Sequence, residues 1–146
     1  MVMGIIFAGT GVTAFIVLMF SGKVVDRWGV FRGVHLGFWA CIIGGFLMAL
    51  TGSYVWFGVG AALFAVGEAF YGSAQAVLLT DNVASKHRGE LLGVDRILDN
   101  LFVTVAMLAS GFLIAAASAQ TAWLTFMLIF VAAYAVAHIY KADRIR

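Results

Sequence analysis

Residues 1–32 have the sequence MVMGIIFAGTGVTAFIVLMFSGKVVDRWGVFR, in which a long uncharged stretch comes directly before a short basic one. The first charged residue of the chain is Lys23. A helix needs roughly 20 apolar residues to cross a bilayer. This stretch therefore predicts a transmembrane helix over residues 1–22, and no basic segment precedes it as in a signal peptide.

The same pattern continues along the chain. Its nine Lys and Arg residues fall in three clusters: Lys23/Arg27/Arg32, Lys86/Arg88/Arg96 and Lys141/Arg144/Arg146. Polar breaks at residues 51–53 and 118–121 divide the two longest apolar stretches. We expect an all-α membrane protein with a single transmembrane domain, residues 1–146, whose five spans cover about 1–22, 33–51, 54–80, 92–117 and 121–140.

Composition excludes the soluble classes. The chain is 64% hydrophobic and 11% charged, whereas soluble domains are about 25% charged. A chain of 146 residues cannot bury that much apolar surface in a soluble core, so the lipid bilayer is its expected partner. The net charge of +2 does not indicate nucleic-acid binding, because the basic residues flank spans and have acids among them.

The basic clusters also predict orientation. Short loops rich in Lys and Arg stay on the cytoplasmic side, and here every second turn is basic. We expect the N-terminus outside and the C-terminus in the cytoplasm, in a multi-pass protein of the cell (inner) membrane.

The first basic loop, residues 21–32, has the sequence SGKVVDRWGVFR. It resembles the cytoplasmic loop motif of the major facilitator superfamily, G-x-L-a-D-R-x-G-r-k. The matching residues are Gly22, Asp26, Arg27 and Gly29. Val30 and Phe31 replace two basic positions, for which Arg32 partly compensates. Glycine allows a tight reversal between antiparallel helices, and small residues let helix ends approach closely.

The second basic loop, residues 81–90, has the sequence DNVASKHRGE. It is similar to the family's segment d-x-v-p-x-x-x-R-G, with Arg88 and Gly89 in place and Ala84 at the usual proline position. In the family this segment lies two spans after the loop motif, as it does here. The resemblance covers nearly the whole chain.

The resemblance implies a secondary transporter that moves a small solute by alternating access. It also implies a conformational gating role for the loop residues Gly22, Asp26, Arg27, Gly29, Arg32, Arg88 and Gly89. Family members have twelve spans in two six-span halves, and the loop motif follows the second span of each half. We therefore expect a fragment that lacks the first span of its half, with the missing half of the transporter as a partner.

Three features favour the C-terminal half. The loop motif is degenerate, the third span lacks R-x-x-Q-G, and the chain stops six residues after the fifth predicted span. The fourth span has Ala106-Met107 where an antiporter signature has Gly-Pro, which argues against an N-terminal antiporter half.

Glu68 interrupts the third span near its middle. A carboxylate in hydrocarbon is costly, so it is expected to face protein or water and is a candidate for function. Tyr71, Gly72 and Gln75 follow at helical spacing. We expect Glu68, Tyr71 and Gln75 to form a substrate or proton pathway; the alternative is a protonated Glu68 that bonds a neighbouring helix.

The fourth span begins with Asp95, Arg96, Asp99 and Asn100. Arg96 and Asp99 have the i, i+3 spacing of an ion pair. These residues predict a polar stripe at the inner mouth that acts as a gate or as an interdomain contact, for which Asp26 is one candidate partner. An interfacial helix start with solvated charges is the alternative.

The sequence predicts no enzyme, no catalytic residue, no cofactor and no metal site. His35 and His138 lie near the predicted inner ends of spans, without partners at metal-ligand spacing. A non-transporting membrane subunit or scaffold is the rival function. The sequence names neither the substrate nor the coupling ion.

Overall fold

Five long helices make up the structure, a computed structural model that describes residues 2–81 and 83–144. Side chains are described for all of these except Ala133 and residues 136–144. The helices are α1 Val2–Trp28, α2 Val30–Leu50, α3 Tyr54–Asp81, α4 Arg88–Ala116 and α5 Ala119–Arg144, with a 3₁₀ turn at Ser85–His87. The described residues contain no strand, and the predicted all-α membrane class is confirmed.

Length and composition fit membrane crossing. Among the described residues, α1, α2, α3 and α4 are each long and apolar enough to cross a bilayer, and α5 contributes the shorter apolar segment Ala119–Ala132. Each helix overlaps one predicted span, and α1, α2, α4 and α5 extend beyond the predicted limits into the basic segments. The side chains of His138, Lys141 and Arg144, and all of Met1, Asn82 and Arg146, lie outside the described part.

The centre of the fold is the pair α2 and α3, which touch through glycine. A Cβ atom built on Gly44 would lie 2.6 Å from the carbonyl oxygen of Gly60, and one built on Gly67 would lie 2.6 Å from the carbonyl oxygen of Gly37. Small residues let transmembrane backbones approach this closely. The glycines of α2 and α3 therefore bring the backbones of these two helices into direct contact.

α1 packs mainly against α3 and also touches α2. The hydroxyls of Ser21 and Ser73 are hydrogen-bonded at 2.7 Å, and Ser21 is fully buried. Val25, one turn later, packs against Gly33 of α2 and is 1% exposed. The end of α1 that carries the loop motif is thus attached to both central helices.

α5 packs against α2. Phe38 of α2 stacks on Phe130, with ring centroids 4.4 Å apart, and contacts Tyr134 at the same distance. The hydroxyl of Tyr134 is hydrogen-bonded to Nδ1 of His35. His35 is therefore held in a contact between helices.

α4 is the least attached helix. It packs against α5 and makes a smaller contact with α3. None of its side chains is buried. Most of the surface of α4 is therefore available for contact with lipid or with another protein in the membrane.

Candidate functional site

Glu68 is the fifteenth of the 28 residues of α3, so it lies at the middle of the span. The buried residues of α3 are small and face α1 and α2: Gly60, Ala61, Ala65, Gly67, Ala69 and Ala74. Glu68 lies outside this contact face and is exposed on the surface of the described chain. A carboxylate at that depth requires protein or water around it.

Tyr71 and Gly72 extend this exposed face by one helical turn. Tyr71 is half-buried, and its ring meets Phe38 edge to face, with centroids 5.5 Å apart. A Cβ atom built on Gly72 would have no neighbour within 4 Å. The surface beside Tyr71 is therefore open, while the ring itself is held from behind by α2.

Gln75 connects the polar residues of α3 to the polar stripe at the start of α4. Its side-chain Nε2 donates a hydrogen bond to Oδ1 of Asp95 on α4, at 3.1 Å. Gln75 is seven residues from Glu68, or about 10 Å along the helix at 1.5 Å per residue. One polar face thus extends from the middle of α3 to the start of α4.

The start of α4 carries the other predicted residues. Arg96 pairs with Asp99, with Nη1 and Oδ2 3.9 Å apart, at the spacing that the sequence indicated. Arg96, Asp99 and Asn100 are all exposed, and Asp95 is half-buried under its bond to Gln75. Since α4 runs back along α3 from the Gln75–Asp95 contact, Asp99 is one turn deeper in the span than Asp95.

The first loop forms a one-residue corner between α1 and α2. Gly29 has φ +89°, a conformation that favours glycine, so the predicted tight reversal is present at that residue. The close approach of helix ends occurs at Gly33, whereas Gly22 and Gly29 have open space beside them. Asp26, Arg27 and Arg32 are exposed.

Asp26 makes no ion pair or side-chain hydrogen bond with any described residue. The predicted contact between Asp26 and the polar stripe of α4 is therefore not formed within this part of the chain. The charged residues of the polar face on α3 and α4 are Glu68, Asp95, Arg96 and Asp99. No described His, Cys, Asp and Glu residues form a metal-binding group of three or more.

The second loop is held by local bonds. Nε of Arg88 donates to the carbonyl oxygen of Val83 at 3.2 Å, and His87 lies 3.0 Å from the carboxylate of Glu90. Gly89 lies in the first turn of α4, and a Cβ atom built on it would have no neighbour within 4 Å. Arg88 thereby fixes the approach of the chain to the polar stripe.

Comparison with known proteins decides the family. The family model described as Major Facilitator Superfamily matches residues 1–144 of the 146-residue chain. The chain belongs to the major facilitator superfamily. Neither a curated protein nor a solved structure matches it.

Major facilitator proteins are membrane secondary transporters, so the family places the chain in a class that transports solutes and generally does no covalent chemistry. With its long apolar helices, this major facilitator chain is a multi-pass integral membrane protein. The resemblance detected in the two loops is confirmed. The first loop connects α1 to α2, and the second connects α3 to α4, the two helices that carry the polar residues.

Two features were not predicted. Neither the bond from Gln75 to Asp95 nor the bond from Ser21 to Ser73 was anticipated, although each joins polar residues near loop ends of neighbouring spans. The sequence did contain an indication of the Gln75–Asp95 bond, because the two residues lie at similar distances from the loop that joins α3 to α4. Gln75 lies six residues before the end of α3, and Asp95 lies seven after the start of α4.

Proposed function

We propose that this chain is part of a secondary transporter that moves a small solute by alternating access. The polar face from Glu68 through Tyr71 and Gln75 to Asp95 serves as its substrate or proton pathway. The observation that carries the proposal is the Gln75–Asp95 hydrogen bond, which makes one face out of residues on two helices. Placing polar groups inside a span costs desolvation free energy in any membrane protein. In a transporter that cost has a functional reason, because such groups line the pathway of the solute or the proton.

The proposed pathway needs a facing wall. Glu68, Arg96 and Asp99 are exposed in this chain, and α4 has no buried side chain. In a bilayer these groups must be covered by protein or by water. We infer that the missing half of the transporter supplies that cover, and that the chain is the C-terminal portion of the carrier.

The loops are proposed to gate the pathway. The corner with Gly22, Asp26, Arg27, Gly29 and Arg32 lies at the end of α1 that the Ser21–Ser73 bond ties to α3. The second loop, with Arg88 and Gly89, leads into the stripe of Asp95, Arg96, Asp99 and Asn100. Movement of either loop is therefore transmitted directly to a helix of the polar face.

Proton coupling is the coupling mode that the side chains favour. Glu68 has no described hydrogen-bond partner, so it is available to exchange a proton with water in a cavity. The proposed orientation puts the two loops in the cytoplasm and the protein in the cell (inner) membrane, in accordance with the basic clusters.

The rival function is a non-transporting subunit or scaffold that packs against a partner membrane protein. The exposed surface of α4 favours it, because a helix without buried residues is available for such packing. In this function Glu68 is protonated and bonds the partner.

Flux measurements separate the two functions. The tagged chain is purified from its native membrane with the membrane protein that completes it, and the assembly is reconstituted in liposomes with a pH gradient. Saturable flux of one member of a panel of small solutes is expected. An assembled complex that gives no saturable flux for any of them would favour the scaffold.

A further inference from the structure

The length of α1 indicates how deep the corner between α1 and α2 lies in the bilayer. α1 contains 27 residues, about 40 Å at 1.5 Å per residue, whereas the hydrocarbon core is about 30 Å thick. The uncharged residues 2–22 are sufficient to fill that core. Residues 23–28 and the start of α2 therefore extend into the layer of lipid headgroups, whichever side of the membrane that is.

The corner presents basic and aromatic side chains together in that layer. Lys23, Arg27 and Arg32 are exposed, and they form no ion pair with any described residue. Asp26 is the one acid of residues 21–33, so three positive charges and one negative charge leave a net charge of +2. Trp28 is 56% exposed and Phe31 is 54% exposed.

The second loop gives an internal comparison. Residues 81–90 contain Lys86 and Arg88 but also Asp81 and Glu90, so two positive and two negative charges cancel when His87 is neutral. His87 is already bonded to Glu90, and Arg88 is bonded to the carbonyl oxygen of Val83. The excess of positive charge at the bilayer surface is therefore concentrated at the α1–α2 corner among the described loops.

We propose that the α1–α2 corner binds the headgroup of an anionic phospholipid. The guanidinium groups of Arg27 and Arg32 contact the phosphate, for which their planar donors are suited. Trp28 and Phe31 lie among the adjoining glycerol and upper acyl segments, the depth that amphipathic aromatic rings prefer. Basic residues next to a span attract anionic lipid by about fivefold in affinity per residue.

The aromatic residues point to lipid as the occupant. A soluble anion would contact the basic groups alone and would leave two large rings exposed in the headgroup layer. A phospholipid satisfies the charges with its phosphate and covers the rings with its chains. This binding does not depend on transport by the chain.

Fluorescence quenching tests the proposal at the corner itself. Trp39, Trp56 and Trp123 are replaced by Phe, so that Trp28 is the remaining reporter, and the full chain is placed in phosphatidylcholine vesicles. Brominated phosphatidylglycerol or brominated phosphatidylcholine is then added as quencher. We expect the relative binding constant at Trp28 to favour phosphatidylglycerol by about fivefold or more.

Two matched changes locate the binding site. Arg27→Gln with Arg32→Gln should bring the preference at Trp28 close to one. Lys86→Gln with Arg88→Gln removes the same charge from the second loop and should leave it unchanged. A second variant keeps Trp56 as its one tryptophan. Trp56 lies near the start of α3, away from the end of α3 that Ser73 bonds to α1. The ratio of the binding constants for phosphatidylglycerol and phosphatidylcholine at Trp56 should be near one.

Several outcomes would overturn the proposal. One is a phosphatidylglycerol preference at Trp28 near one in the chain with both arginines. Another is a preference that stays the same after Arg27 and Arg32 are replaced. The third is an equal loss of preference from the Arg27/Arg32 and the Lys86/Arg88 replacements. If the Trp replacements prevent folding, native mass spectrometry of the unmodified chain gives the same test. It should retain phosphatidylglycerol over phosphatidylcholine by a similar factor, and the Arg27/Arg32 variant should lose that selectivity.

Discussion

Nε2 of Gln75 lies 3.1 Å from Oδ1 of Asp95, and this hydrogen bond joins α3 to α4. No other side-chain bond between these two helices is found among the described residues. α4 is otherwise attached through α5 and through the loop before it. The contact therefore determines how closely the start of α4 approaches the polar face of α3.

Removing this bond should affect transport more than stability. Interhelical hydrogen bonds in membranes contribute about 0.6 kcal/mol on average, so Gln75→Leu or Asp95→Ala, each of which removes one partner of the bond, should lower the free energy of unfolding by less than about 1 kcal/mol. In the assembled carrier each change should reduce the rate of solute flux severalfold. Val105→Ala, at an exposed position on the same helix outside the polar stripe, is the control; an equal loss from all three would refute a special role for the pair.

Glu68→Gln tests proton coupling. The amide has nearly the shape of the carboxyl but cannot exchange a proton, so transport in the assembled carrier should lose its dependence on pH while expression stays intact. Counterflow of substrate without a pH gradient measures binding separately. A pH profile that matches that of the unchanged carrier would leave Glu68 with a structural role.

Orientation is tested by labelling engineered cysteines in intact cells, after Cys41, which is 2% exposed, has been replaced by Ser. Ser53→Cys and Ala119→Cys should react with an impermeant maleimide from outside. Ser85→Cys and Ala142→Cys should react only after the cells are opened. The reverse pattern would refute the orientation inferred from the basic loops.

Gly44→Leu tests the contact of α2 with α3. A side chain at this position meets the backbone of Gly60 and Phe64, which cannot rotate away, so the free energy of unfolding should fall by about 3 kcal/mol, the upper range for an overfilled contact. Gly111→Leu in α4, where a Cβ atom has no neighbour within 4 Å, should change it by no more than about 0.5 kcal/mol. Reversible unfolding in mixed detergent micelles measures both.

The chain by itself should not transport. Alternating access requires two halves that move against each other around a shared cavity, and these five helices leave the face of Glu68 uncovered. The purified chain in liposomes should give only the linear leak of empty vesicles for every solute tested. Saturable flux from this chain alone would disprove the proposal that it is part of a larger carrier.

The fold was predictable wherever a single helix determines it. Charge-free length predicts each span, and the small size of Gly44 and Gly60 predicts close packing without knowledge of the partner. Contacts between helices depend on how each helix is rotated about its axis, which sequence spacing does not fix. The bond of Gln75 to Asp95 and the stacking of Phe38 on Phe130 therefore required the structure. The approach of Asp26 to α4 depends on helix rotation in the same way; it is not formed among the described residues, and a contact across the interface of the assembled carrier stays a prediction.

The direct contact of α2 with α3 has a mechanical consequence. Two helices normally slide or tilt against each other by exchanging side-chain rotamers in the layer between them, but Gly37 and Gly67, like Gly44 and Gly60, leave no such layer. We therefore expect α2 and α3 to move as one rigid unit in the proposed alternating-access motion, with Glu68 moving with them. Among the described residues, one side-chain hydrogen bond joins α4 to α3 and the surface of α4 is mostly exposed, so we expect α4 to change its tilt more easily than the other helices.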